Sequence, residues 1–394
     1  MTDTANVTGR PFALTEGGPA FRIEKRLKLV RENAPLIIRR AFFSIVLTWI
    51  PLFICSALQG LAFGERVPVP FARDFAVHAR FLLTVPLFFC AEAFLGPHLA
   101  QAARHFVTSG LVLEKDYPKF DEAINQGLKW RDSVIVEAVF VVLAYVFTFS
   151  ANRSLAVHVS TWRHLVTDSG STLTWAGWWF SAFCAPLFQF LALRWTWRIF
   201  LWAQFLWRMS KLNLQLIPTH PDEAGGLAFV GEAQRLFGIL LFAYSITVSG
   251  VLANSVIYDK VPLPNYGPSI AAYVIVAVAI IMLPMGIFVG LLLKTKRMGL
   301  YQYGTLATSY TSSFHKKWVA RQGTPEEPLL GTADIQSLAD LGNSFQLIAK
   351  MNALPVGPRT PIHLALACLV PMAPLLLTVM PLKDLIRLLL KVAL

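Results

Sequence analysis

Two carboxylates stand inside apolar runs of this chain, Glu92 within Phe81–Ala100 and Glu137 within Val134–Ser150. A carboxyl group in hydrocarbon must be paired, protonated or wetted. Paired with arginine, it fixes helix register. Protonatable or wetted, it becomes a step in a proton or cation pathway. Arg194, Arg198, His98 and His363 are the candidate partners at comparable depth. Arg194 and Arg198 lie i,i+4 in Leu193-Arg194-Trp195-Thr196-Trp197-Arg198, and Trp202 and Trp207 follow. That pattern fits an interfacial aromatic belt with snorkelling arginines. It also fits an anion site, or the counter-ions of Glu92 and Glu137. A voltage sensor would need further arginines at every third position.

A second constellation lies in Pro218-Thr219-His220-Pro221-Asp222-Glu223-Ala224-Gly225-Gly226-Leu227. The prolines end the incoming helix, and the glycines permit backbone shapes other residues resist. His220, Asp222, Glu223 and Glu232 are a plausible cation-ligand set; the same residues also make an Asp-capped turn that seats the next helix. Adjacent carboxylates argue against a phosphate cradle, and the sequence has no GxxxxGK[ST]. HExxH and GxSxG are absent too. Cys55, Cys90, Cys184 and Cys368 each sit alone in an apolar run, as small buried hydrophobes rather than a zinc site or disulfide frame. No catalytic residue and no cofactor is expected, and an enzyme has no motif behind it.

The elements that must position these residues follow from composition. Of 394 residues, 55% are hydrophobic and only 15% charged, against about 25% charged in a soluble domain. Mean hydropathy is +0.54. Such a chain cannot cover itself in water, and its expected surroundings are a lipid bilayer. About 20 mostly apolar residues are needed to cross it. Seven candidates meet that length: Ala41–Phe63, Phe81–Ala100, Val134–Ser150, Thr174–Leu193, Phe237–Ile257, Ile270–Leu293 and Ile362–Met380. The sequence therefore predicts an all-α polytopic bundle. Pro51, Pro284, Pro371 and Pro374 fall near mid-bilayer, where proline frees a carbonyl and bends a helix.

Lys and Arg outnumber Asp and Glu by 35 to 23, giving a net charge of +12. The basic residues lie between apolar runs, which marks orientation and anionic lipid rather than nucleic acid. Alternate segments hold 26 of the 35, which predicts a cytoplasmic N-terminus and, with seven spans, an external C-terminus. The first 40 residues hold no early apolar stretch with a cleavage site, so the first span is expected to be its own insertion signal.

Five regions follow: a basic cytoplasmic segment over 1–40, spans one to six over 41–293, a cytoplasmic helical hairpin over 294–360, span seven over 361–381, and an interfacial amphipathic helix over 382–394. Within the first, Phe21–Arg40 is a basic segment whose Glu24 and Lys28, spaced i,i+4, suit a short surface helix. The hairpin rests on two stripes at helical spacing: Leu300, Tyr303, Ala307, Tyr310 and Phe314, then Ile335, Leu338, Leu341, Phe345 and Ile348. Gly323-Thr324-Pro325 separates them. One hairpin cannot bury both stripes, so it should pack on the link between the fourth and fifth spans or on another subunit. A homo-oligomer and a cytoplasmic protein partner are expected on that ground.

Several segments together carry a resemblance. They are Pro218-Thr219-His220-Pro221-Asp222 with Gly225-Gly226-Leu227; Glu327-Pro328-Leu329-Leu330-Gly331; Asp334-Ile335-Gln336-Ser337-Leu338-Ala339-Asp340-Leu341 with Asn343-Ser344; and Pro371-Met372-Ala373-Pro374-Leu375-Leu376-Leu377-Thr378. The second half of the chain thereby resembles a family of uncharacterised bacterial polytopic membrane proteins. The resemblance implies a bacterial inner-membrane setting and assigns no residue a role. The sequence leads us to expect ion or small-solute transport with a carboxylate site in the cytoplasmic half. The other reading is a non-transporting sensor or scaffold whose hairpin binds a partner.

Overall fold

The computed structural model describes residues 12–30, 36–155, 160–167, 170–320 and 332–379. It is an all-α polytopic bundle. Among the described residues, seven helices are long and apolar enough to cross a membrane: Ile37–Leu58, Phe75–Thr108, Val134–Ala151, Trp175–Ser210, Ala228–Tyr258, Leu263–Val319 and Arg359–Thr378. Between the third and fourth, His164–Thr167 pairs antiparallel with Gly170–Leu173 in a small hairpin that hydropathy alone does not signal. The expected interfacial helix over 382–394 and the turn Gly323-Thr324-Pro325 lie outside the described residues.

All seven expected spans are present, but several helices run past their apolar cores. The second ends at Thr108 and the fourth at Ser210. Hydropathy marks only the part that must be dry. A helix continues wherever its residues are good helix formers and a neighbour buries its face. Helix Tyr117–Arg131 supplies such a neighbour, burying Phe120, Ala123, Ile124 and Leu128 and packing along the fourth span.

At two proline breaks a nearby carbonyl accepts from another helix, as suits a group with no water to bind in hydrocarbon. Pro51 displaces the hydrogen bond to the carbonyl four residues back, and the helix breaks at Thr48. Trp179 Nε1 of the fourth span donates to that carbonyl, Leu47 O, at 3.1 Å. Pro284 opens a tightened stretch over Leu283–Phe288. Beside it, Gln234 Nε2 donates to Ile281 O, and Gln234 Oε1 accepts from Trp202 Nε1 at 3.0 Å.

The sixth helix, at 57 residues, is about 85 Å long, against a hydrocarbon core of about 30 Å. Its excess forms one arm of the hairpin, and Ala333–Lys350 forms the other. The arms are tied at Asp334: its carbonyl accepts from Tyr310 Oη at 3.0 Å, and its carboxylate accepts from Trp318 Nε1 at 2.8 Å and Lys317 Nζ at 3.0 Å. At its base the hairpin packs on the link between spans four and five. Asn352 N donates to Glu223 O at 2.7 Å, and a Cβ built on Gly299 would lie 2.6 Å from Pro218.

The short helix expected in the N-terminal segment is present as Pro19–Arg26 and ends where Lys28 takes a left-handed φ of 56°; Arg40 already belongs to the first span. The stretch from Phe12 to Leu29 is a strap laid into the bundle. Phe12 and Leu14 are buried in the core, with the Phe12 ring 4.5 Å from that of Phe205. Thr15 fits against the second span only because position 96 is glycine: a Cβ there would lie 2.1 Å from Thr15 Oγ1.

Candidate functional site

Glu92 lies on the interior face of the second span, 5% exposed. Three other elements converge on it. The first span brings Arg40, 3% exposed, and the fourth brings Arg194 and Arg198, 4% and 3% exposed, on one face by their i,i+4 spacing. Arg198 Nη1 donates to Glu92 Oε1 at 2.6 Å, and Arg40 Nη2 donates to Glu92 Oε2. Arg194 Nη1 stands 3.8 Å from Glu92 Oε1. Glu137 joins from the third span, with Oε1 3.8 Å from Arg194 Nε.

The strap completes the cluster. Glu24 pairs with Arg40 at 2.5 Å and with Arg194 at 3.6 Å. Two strap carbonyls accept from arginines: Thr15 O from Arg198 Nη2 and Gly17 O from Arg194 Nη2, both at 3.1 Å. In return the bundle's carboxylates take strap amides. Ala20 N donates to Glu137 Oε2 at 2.7 Å, and Gly18 N donates to Asp132 Oδ1 at 2.8 Å. Arg131 donates to Ala13 O. The strap thus satisfies its own backbone and the bundle's charges at once, as buried polar groups require.

Three guanidinium groups face three carboxylates, so the cluster is neutral as a set. The burial that a lone charge would not tolerate is offset by mutual pairing. Glu24 is held above the usual carboxylate range, by burial first and by the Glu92 charge second, with Arg40, Arg194 and Arg198 opposing. Without the strap, Arg40, Arg194 and Arg198 would face only Glu92 and Glu137, leaving one positive charge in excess.

Four of the five residues singled out for transport or ion pairing therefore meet: Glu92, Glu137, Arg194 and Arg198. His98 does not; it is exposed, and its Nδ1 contacts Phe94 O at 2.7 Å. His363 is exposed as well. The aromatic-belt expectation fails for most of the Arg–Trp run, because the fourth span extends to Ser210. Trp195 and Trp202 are 1% and 0% exposed core residues, and only Trp207, at 49%, faces outward. Glu137, placed near the end of its span, is capped by the strap rather than extended to the interface.

Sequence reasoning missed Arg40 and Glu24. Arg40 borders the apolar run and reads as a flanking charge. Glu24 reads as a partner of Lys28. Their true partners lie 52 and 16 residues away, at Glu92 and Arg40. No local pattern signals such pairings.

The loop constellation forms a self-capped turn. Asp222 Oδ1 accepts from Ala224 N at 2.9 Å and Gly226 N at 3.1 Å, and Oδ2 accepts from Ala228 N at 3.0 Å. His220 Nδ1 stands 2.7 Å from Asp222 Oδ1. Burial pushes the Asp222 carboxyl up, but the three amides and His220 outweigh it and hold the group below its ordinary value. Glu223 takes a left-handed φ of 55° with its carbonyl bound to Asn352 N, and Glu232 pairs with Arg235 at 2.8 Å. These four do not converge, and among the described residues no three His, Cys, Asp or Glu side chains gather as a metal site would need.

Fold and site together define a multi-pass helical membrane protein with a buried arginine–carboxylate cluster closed by its own N-terminal strap. Comparison with family models, curated proteins and solved structures gives no match.

Proposed function

We propose that the protein is a non-transporting sensor or scaffold of the bacterial inner membrane, with its N-terminus and hairpin cytoplasmic. One observation carries this reading. Glu92, the most deeply placed carboxylate of the spans, has both oxygens engaged by Arg198 and Arg40 and is covered by the strap. A carboxylate serving a passing proton or cation needs a free oxygen and a wetted approach. Here the charges are spent on joining spans one to four to the strap. The hairpin reaches well past the hydrocarbon boundary and leaves Tyr301, Leu306, Val319 and Ile335 exposed, which suits a protein partner or a second copy of the chain.

Flux measured on proteoliposomes of the full chain tests this. The expected result is no proton or cation flux above protein-free vesicles, in the wild type and in Glu92→Gln alike. Flux in the wild type that Glu92→Gln abolishes, with the fold retained, would return the protein to the conduit reading.

A further inference from the structure

The opposite end of the bundle holds a second charged site that the buried cluster does not use. A cavity of about 290 Å³ lies where the second and fourth spans begin and the third and fifth end. Arg80, the sixth residue of the second span, and Arg163, from the strand-bearing connection, both line it. Neither guanidinium makes a hydrogen bond or ion pair to a described side chain, and the Nε of each is buried without a partner. They are held by rings instead: Arg80 Cζ lies 4.9 Å from the Phe188 centroid and Arg163 Cζ 4.9 Å from the Phe180 centroid. Two like charges kept together in a partly buried space, each with free donors, form an incomplete arrangement.

Asp74 also lines the cavity but does not complete it. Its Oδ2 accepts from Trp162 Nε1 at 2.8 Å, and its Oδ1 accepts from Asn254 Nδ2 at 2.8 Å and Val77 N at 3.2 Å. Among the described lining residues, counting it with the two arginines leaves one positive charge. Gln189 adds a polar amide to the lining, with its Oε1 3.2 Å from Thr148 Oγ1. The remaining walls are largely apolar, among them Phe180, Phe188 and Val251.

Size and charge together select a ligand class. Water occupies about 30 Å³ per molecule, so the space exceeds what a bare oxyanion fills and approaches the ~300 Å³ of small-molecule pockets. The unbalanced charge is single. We propose that this cavity binds a singly charged oxyanion carrying an organic body, its head held between Arg80 and Arg163 and its body against the phenylalanine walls. Two sources share that chemistry: the phosphodiester of an anionic phospholipid, since the cavity lies at one membrane boundary, and a soluble organic carboxylate. The site is separate from the buried cluster and stands whether the bundle scaffolds or conducts.

The full-length protein in nanodiscs tests both sources. One arm counts phosphatidylglycerol retained per chain by native mass spectrometry, against phosphatidylcholine. The other titrates hexanoate calorimetrically into phosphatidylcholine nanodiscs. Saturation at one per chain in either arm is expected, and which arm saturates identifies the source. Arg80→Gln and Arg163→Gln should each weaken that binding about tenfold or more, the loss of a charge-assisted hydrogen bond. Saturation by neither probe, or unchanged binding in both variants, overturns the proposal. Should an arginine variant fail to fold, Val251→Trp fills the cavity from a side chain that is 44% exposed and must abolish binding; undiminished binding there overturns the proposal equally.

Discussion

Glu92→Gln is the sharpest test of the buried cluster. The substitution keeps shape and removes one charge, leaving Arg40, Arg194 and Arg198 against Glu24 and Glu137. At an effective dielectric of 20, a pair at the 2.6 Å of Arg198 attracts by about 6 kcal/mol and one at the 3.8 Å of Arg194 by about 4 kcal/mol. Much of this gross attraction is offset by desolvation, which is several kcal/mol per buried ion. Breaking a buried pair by removing one partner costs about 3–5 kcal/mol, because the other charge stays buried. At about 2 °C per kcal/mol, the melting temperature should fall by roughly 6–10 °C. The assay is thermal unfolding of the detergent-solubilised full chain, followed by tryptophan fluorescence. Glu232→Gln is the control: its pair with Arg235 is exposed, and such pairs contribute about 0–1 kcal/mol. The double variant Glu92→Gln, Arg198→Gln should lose less than the two single losses combined, by about 0.5–3 kcal/mol. A Glu92→Gln protein that melts with the wild type, or strict additivity in the double variant, would refute the account of Glu92 as the anchor of the cluster.

Three further outcomes follow. Gly96→Val should dislodge the strap, since even a Cβ there meets Thr15 Oγ1 at 2.1 Å; amide hydrogen exchange over 12–29 should rise while the spans beyond the cluster stay protected. Strap docking should weaken with rising pH: the folded Glu24 carboxyl sits above its ordinary value, so its contribution is full below that value and is lost as pH rises through the raised one. Exchange over 12–29, corrected for intrinsic rates, should therefore climb with pH in the wild type and more weakly in Glu24→Gln. Asp222→Ala removes the acceptor of three backbone amides and should cost about 3 kcal/mol. The Asp222 carboxyl is held low, so its contribution should persist down to its ordinary value near pH 4 and vanish only as pH falls through the depressed one, measurable as an acid-side loss of melting temperature absent from the alanine variant.

Membrane residence, seven spans and the two arms of the hairpin were legible in the amino-acid order, because each rests on local information: a run long enough to cross hydrocarbon, or a stripe repeating every three to four residues. The same local logic singled out Glu92, Glu137, Arg194 and Arg198, since charge is rare in such runs. It could not say whether Glu92 meets water or arginine, because a carboxylate's partner is set by which helix faces cross in space. Arg40, 52 residues away, and Glu24, on a strap whose sequence reads as solvent-exposed and basic, became its neighbours only when the bundle closed. Arg80 and Arg163 likewise look like ordinary loop charges along the chain. Tertiary structure alone placed them in one cavity with Asp74 as the one carboxylate among the described lining residues, because pairing is decided by distances between elements that no periodicity encodes.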